Sequence, residues 1–104
     1  MTRHKIGSVQ VYIEGASGDL HPKDKYDVHV SYRETHDLDY WVIDFGYPYE
    51  YNLETLFRSY GEFQESLDKT FRIDIGRKLQ IKMPDFIHWM ERASIVAAAL
   101  DSGN

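Results

Sequence analysis

The chain contains no cysteine, and this absence excludes several classes of protein. Without cysteine its 104 residues hold no disulfide scaffold, thiolate metal site or cysteine nucleophile. Long apolar runs are also missing, since the most apolar segment, residues 95–100, is far shorter than the ~20 residues that span a bilayer. The first residues, MTRHKIGSVQ, lack the apolar core of a signal peptide. We therefore expect a cytoplasmic protein without a membrane partner.

An excess of basic residues is absent as well. Twelve Lys and Arg against 17 Asp and Glu give a net charge of −5, so bulk attraction to nucleic acid is not expected. The charge is uneven, because residues 34–68 carry nine acidic residues against Arg58 alone, a net −8, whereas residues 69–82 carry +4. Nine of the fifteen aromatic residues also lie in residues 34–68. The average charge therefore conceals an acidic and aromatic middle segment.

The pattern of the first half predicts strands. Apolar residues alternate with polar ones over Ile6–Glu14 and again over Tyr26–Arg33. Between them Gly15–Lys25 is rich in Gly, Pro and Asp and predicts a loop. The polar connection Glu34–Asp39 is short, which favours an antiparallel hairpin with a third strand that begins at Tyr40.

The third strand is followed by a run of tyrosines in the same phase. It has Trp41, Ile43 and Phe45 on one side, and this odd-numbered phase continues through Tyr47, Tyr49 and Tyr51. Because proline cannot donate a ladder hydrogen bond, Pro48 predicts that the continuation is an edge strand or an extended arm.

A helix is predicted after Asn52, which is a good N-cap residue, with Glu54 in the first turn. Apolar side chains follow at helical spacing, namely Leu53, Leu56, Phe57, Tyr60, Phe63 and Leu67. Gly61 lies within this stripe and either costs the helix about 1 kcal/mol or divides it into two short helices.

Residues 71–83 alternate once more and predict a hairpin closed by a three-residue loop, Gly76–Lys78. This register pairs Ile75 with Leu79, Ile73 with Ile81, and Phe71 with Met83. One long bent strand preserves the same phase and stays as the alternative.

A closing helix is predicted from Pro84 to Asp101–Gly103. Its core-facing stripe comprises Phe86, Met90, Ala93, Ala97 and Leu100, with Ile87, Trp89 and Val96 beside it. The element order is βββαββα, so we expect residues 1–104 to form a single small α+β domain. In it a mostly antiparallel sheet has two helices packed on one face.

The acidic and aromatic middle segment predicts a binding face, because tyrosine suits interfaces and acids complement a basic partner. The candidate partner-binding residues are Asp37, Asp39, Asp44, Tyr47, Tyr49, Glu50, Tyr51, Glu54, Glu62 and Glu65. The predicted function is a non-catalytic inhibitor, without cofactor or metal, that docks on a basic protein and occludes it. The partner would be a nuclease or another nucleic-acid-binding complex. Phage anti-defence proteins of the anti-CRISPR kind and toxin-immunity proteins both fit this description.

Three alternatives remain at this stage. The positive segment predicts a strip of Arg72, Lys78, Gln80 and Lys82, which is either a solvated sheet face or a weak phosphate-binding footprint. A small metal-dependent or hydrolytic enzyme would use His29, His36, Asp37 and Asp39, although their spacing matches no known ligand motif. A self-associating structural protein, a homodimer for example, would pair the strip with the acidic segment or pair two copies of the last helix.

Overall fold

A computed structural model describes residues 3–46, 49–60, 70–74, 76 and 78–102. These residues form an α+β domain, which confirms the predicted class. The elements are β1 (Arg3–Glu14), β2 (Leu20–Glu34), β3 (Asp39–Asp44), β4 (Glu50–Asn52), α1 (Leu53–Tyr60), β5 (Thr70–Asp74), β6 (Leu79–Lys82) and α2 (Met83–Ser102).

The described strands form one sheet in the order β4-β3-β2-β1-β6-β5, and every neighbouring pair is antiparallel. The helices contact each other; α2 also packs on β1, β2, β3, β5 and β6, and α1 packs on β3 and β4. The core lies between the helices and this face of the sheet, and its fully buried side chains include Val11, Val30, Ile43, Ile81, Phe86 and Met90. The opposite face of the sheet has no described helix on it, and we call it the helix-free face.

The first hairpin is longer than its sequence predicted. β1 begins at Arg3 instead of Ile6, and β2 begins at Leu20 instead of Tyr26, so the predicted loop shrinks to residues 15–19. Pro22 lies inside β2, opposite Tyr12, next to a register shift. The proline is tolerated because this half of β2 pairs only with β1, since β3 pairs with β2 from His29 onward.

The chain reverses after β3. Gly46 adopts a φ of 145°, which favours glycine, and β4 then pairs back on β3 with Tyr51 opposite Ile43. The predicted edge position is thus confirmed for Tyr51, which lies in β4. This strand is separate from β3 and antiparallel to it, because the chain turns between them. Tyr47 and Pro48 lie outside the described residues.

The first helix begins as predicted. Asn52 caps it, with its Oδ1 atom accepting a hydrogen bond from the backbone N–H of Thr55 at 3.0 Å. Leu53 and Leu56 are buried. Gly61, Phe63 and Leu67 lie outside the described residues, so neither alternative for Gly61 is tested.

The second hairpin is confirmed, but its predicted register is wrong by two residues. Phe71 lies opposite Ile81, and Asp74 lies opposite Leu79 with a register shift just before it, so a four-residue connection replaces the predicted Gly76–Lys78 loop. A slip of two residues keeps every side chain on its own face, so apolar alternation alone could not distinguish the two registers.

The last helix buries the predicted stripe. Met83, Phe86, Met90, Ala93 and Ala97 are buried, and Leu100 packs against the core. No helix within the described ranges is long and apolar enough to cross a membrane.

Trp89 of α2 lies directly over β1 at Gly7. A Cβ atom at Gly7 would approach the Trp89 ring to 2.1 Å, a distance that real side chains do not adopt. Glycine at this position therefore allows the helix to approach the sheet closely.

Candidate functional site

An acidic and aromatic groove lies where β2, β3 and the end of α2 meet. Val30 and Ile43 form a buried cross-strand pair, and two residues further along Tyr32 lies opposite Trp41. Alternation places both pairs on the helix-bearing face. The next pair on this face is Glu34 opposite Asp39. This end of the hairpin therefore presents two aromatic rings and two carboxylates together.

The end of α2 closes the groove. Asp101 lies in the last turn of α2, and its Oδ2 atom accepts a hydrogen bond from the Trp41 indole N–H at 3.0 Å. Two pockets meet at this contact and share Trp41 and Asp101. We call the combined site the acidic groove.

The two pockets have similar sizes and different walls. One is about 500 Å³, and its lining includes Asp39, Tyr40, Trp41, Glu54, Phe57 and Asp101. The other is about 440 Å³ and is lined by His4, Tyr32, Glu34, Trp41, Leu100 and Asp101. Each volume exceeds that of one long side chain, so the acidic groove has room for part of a peptide.

The negative charges in the acidic groove repel one another. Glu34 lies directly opposite Asp39, and like charges in this position destabilise a strand pair. Asp101 is in the last turn of α2, a turn without a basic residue, where the helix dipole already has its negative end. Among the described residues that line the two pockets, His4 is the only one that can carry positive charge. The groove therefore has a strongly negative local potential.

Tyr32 responds to this potential. Its burial raises the pKa of Tyr32 above its usual value of 10.0, and so does its hydrogen bond to Asp39, followed by the negative charges of Asp39, Asp101 and Glu34. The Tyr32 and Trp41 rings are 5.1 Å apart and inclined by 56°. Aromatic faces beside carboxylates attract a cation through both the ring quadrupole and the charge.

The predicted partner-binding residues are divided among different parts of the fold. Asp39 and Glu54 line the acidic groove. Glu54 also forms an ion pair with Arg58, with 2.5 Å between Glu54 Oε1 and Arg58 Nη2. Asp37 is exposed in the turn between β2 and β3. Tyr49 is 44% exposed. These residues remain open to solvent.

Three others have structural contacts. Asp44 is only 2% exposed, and Arg3 binds both of its oxygens. Glu50 likewise receives two hydrogen bonds from Arg33. Tyr51 packs against the core, and its hydroxyl donates to the carbonyl of Ile73 at 3.2 Å. Tyr47, Glu62 and Glu65 lie outside the described residues.

Four residues of the acidic groove were not among those predicted from the sequence, namely Tyr32, Glu34, Trp41 and Asp101. Tyr32 and Trp41 continued a core-facing phase, so nothing in the pattern separated them from buried aromatics. Asp101 is 60 residues from Trp41 along the chain, so their contact has no local signal. One hint was available, because Asp101 is an acid at a helix C-terminus, where the dipole disfavours it.

The helix-free face is also charged, but there several carboxylates are paired with cations. Besides Arg3 with Asp44 and Arg33 with Glu50, Lys5 lies 3.3 Å from Asp27. The guanidinium hydrogen bonds to Asp44 raise the pKa of Arg3.

The predicted basic strip shares this face, since Arg72 lies opposite Gln80 and Thr70 opposite Lys82. Arg72 is 3.7 Å from Glu14, and the Lys82 ammonium lies 4.7 Å from the centre of the Tyr12 ring. Gln80 is buried and accepts a hydrogen bond from Thr70. Two of the strip's three cations thus already have partners within the fold.

The residues of the enzyme alternative do not converge. His29 pairs with Asp44 on the helix-free face, whereas His36 and Asp37 are exposed in the β2–β3 turn. No group of three potential ligands that could hold a metal ion occurs within the described part of the chain.

For the self-association alternative, α2 exposes one large apolar side chain. Ile95 is 60% exposed, with Ala98 and Ala99 also exposed on α2. Self-association stays a prediction.

Comparison with known proteins gave no match, whether with protein-family models, curated proteins or solved structures.

Proposed function

We propose that this protein is a non-catalytic binding protein that receives a basic segment of a partner protein in the acidic groove. One observation carries the proposal. Glu34, Asp39 and Asp101 surround Tyr32 and Trp41, and no ion pair neutralises these three carboxylates among the described residues. An Arg or Lys side chain would supply the missing charge and stack on the rings.

The arrangement costs stability in the free protein, and a basic partner would relieve that cost. Like charges repel across the Glu34–Asp39 pair, and Asp101 opposes the α2 dipole. A bound cation attracts each of these carboxylates and so offsets the repulsion. Complementary charge also accelerates the encounter of two proteins, so the groove suits rapid capture.

The proposed role is inhibition of a partner that handles nucleic acid. A protein surface that binds phosphate is basic, and the acidic groove would cover such a surface and exclude its substrate. A phage anti-defence protein of the anti-CRISPR kind or a toxin-immunity protein would fit this role. The proposal includes a cytoplasmic location, where such partners meet nucleic acid.

The test uses a capped hexa-arginine peptide as a probe, with capped hexaserine as the uncharged control. Calorimetry should give one binding site whose affinity falls as salt rises. Asp39→Asn together with Asp101→Asn should weaken binding about tenfold, equivalent to about 1.4 kcal/mol. Asparagine keeps the acceptors for Tyr32 and Trp41, so the fold is retained.

Asp37→Asn together with Glu91→Gln is the matched control, because it also removes two charges and both residues are exposed acids outside the groove pockets. If this control weakens the complex as much as the groove variant, the peptide responds only to net charge and the proposed site is wrong. Binding of hexaserine with equal affinity would reject the electrostatic basis.

A further inference from the structure

A third pocket, separate from the two that form the acidic groove, lies beside β2, near the end of β3. It has a volume of about 350 Å³, and its lining includes Arg3, Lys25, Tyr26, Asp27, His29 and Gly46. β3 pairs with β2 only from His29 onward, so the earlier part of β2 has an open edge here. Gly46, at a φ of 145°, forms part of the wall without a side chain. We call this site the β2 pocket.

The carboxylates at the β2 pocket already have cationic partners. Asp44, beneath it, receives Arg3 Nε at 3.0 Å, Arg3 Nη2 at 2.5 Å and the backbone N–H of Gly46 at 3.2 Å. Asp27 lies 3.3 Å from the Lys5 ammonium. Their negative charge is therefore largely neutralised.

The nitrogen groups at the β2 pocket, in contrast, lack acceptors. The Lys25 ammonium and the Arg3 Nη1 group make no hydrogen bond or ion pair with any described residue. The His29 Nδ1 atom is buried without a hydrogen-bond partner, and its nearest carboxylate oxygen, Asp44 Oδ1, is 3.8 Å away. The residues that carry these three nitrogen groups line the β2 pocket, and no described residue accepts a hydrogen bond from the groups.

We propose that the β2 pocket binds a small oxyanion, a phosphate or carboxylate group, between Lys25, His29 and Arg3. Asp44 holds the Arg3 fork by two hydrogen bonds, so Arg3 is preorganised and needs little ordering when the anion binds. Lys25 supplies a free positive charge. His29 lines the same pocket, and its imidazole ring can donate a hydrogen bond from a nitrogen atom that carries hydrogen. Oxygen atoms of the anion supply the acceptors that these groups lack.

The proposal is independent of the acidic groove. None of the residues that line the β2 pocket lines either groove pocket. Failure of one site in an experiment would therefore leave the other untouched.

The experiment titrates the protein with inorganic phosphate, and separately with acetate, at constant ionic strength. Amide and imidazole NMR shifts report binding. Saturable shifts are expected at residues 25–29 and 46. Tighter binding of phosphate than of acetate assigns the phosphate class, and the reverse order assigns the carboxylate class.

Variants locate the site. Lys25→Gln should raise the Kd at least fivefold, because it removes the free positive charge. The fold should stay intact, since Lys25 is exposed. Arg92→Gln, which removes an exposed charge on α2, is the matched control and should leave the Kd unchanged. Shifts that do not saturate, or a Kd that Lys25→Gln leaves unchanged, would overturn the proposal.

Discussion

Acidic side chains on the helix-free face lie beside arginines, whereas those in the acidic groove lie beside other negative charges. On the helix-free face, Asp44 and Glu50 each bind an arginine through two hydrogen bonds. In the acidic groove, Glu34 and Asp39 face each other and Asp101 lies at a helix C-terminus. Acids of the first kind stabilise the fold, whereas acids of the second kind oppose it.

This difference shows that the acidity of a segment does not define a binding face. Four of these five acids belong to the acidic middle segment, yet Asp44 and Glu50 are paired with Arg3 and Arg33, which are 41 and 17 residues away along the chain. Only the carboxylates without such a partner are available to another molecule. Substitutions on the helix-free face and in the acidic groove can measure this difference as changes in the free energy of unfolding.

The largest effect is expected at Asp44. Asp44→Ala should lower the free energy of unfolding by about 2 kcal/mol, because it leaves the half-exposed Arg3 guanidinium and the Gly46 N–H without their buried acceptor. Urea denaturation measures the change. Asp37→Ala, at an exposed turn residue, is the control and should cost no more than about 0.5 kcal/mol. Equal losses in the two variants would show that pairing does not distinguish these acids.

A smaller loss is expected at the more exposed pair. The side chains of Arg33 and Glu50 are 30% and 32% exposed, so water screens their attraction. A double-mutant cycle with Arg33→Gln and Glu50→Gln should give a coupling of about 0.5–1 kcal/mol. A coupling free energy as large as the loss caused by Asp44→Ala would contradict the expectation that burial makes the Arg3–Asp44 pair the stronger one.

In the acidic groove the sign should reverse. Asp39→Asn should raise the free energy of unfolding by about 0.3 kcal/mol, because it removes the repulsion with Glu34. The gain should shrink in 1 M salt, where the Debye length is about 3 Å. Urea denaturation at both salt concentrations measures it. A loss above about 1 kcal/mol would mean that Asp39 stabilises the fold.

The smallest effect concerns Tyr32 and pH. Its folded pKa is raised above 10.0 by burial, by the Asp39 hydrogen bond and by nearby acids. The protonated Tyr32 hydroxyl therefore contributes to the free energy of unfolding. This contribution is complete below about pH 10, the unfolded pKa, and is lost as pH rises through the higher folded pKa. Tyr32→Phe should reduce the fall in urea midpoint above about pH 10 relative to the unsubstituted protein. Identical profiles for the variant and the unsubstituted protein would contradict a negative potential at Tyr32.

Local patterns predicted the elements well, because each depends on neighbouring residues. Alternation identified the buried faces of β1, β2 and β3, and the Asn52 cap fixed the start of α1. Patterns failed where several arrangements satisfy them equally. The β5–β6 register slipped by two residues, and the Gly- and Pro-rich start of β2 was assigned to a loop although β1 pairs with it.

The candidate site was harder to predict, since it depends on contacts between distant residues. The sequence directed attention to acids and aromatics near Asp39, and of the predicted residues Asp39 and Glu54 line the acidic groove. It could not reveal that α2 delivers Asp101 to Trp41, or that Arg3 covers Asp44. Whether an acid is paired is a property of the folded chain and not of its composition.

The contact between Gly7 and Trp89 constrains how this sequence can evolve. Because a methyl group at position 7 would collide with the indole at 2.1 Å, the two positions cannot change independently. We expect a relative with a larger residue at position 7 to carry a smaller one at position 89, so the two positions should covary. Once such sequences are aligned, this pair offers a check on the docking of α2 that requires no purified protein.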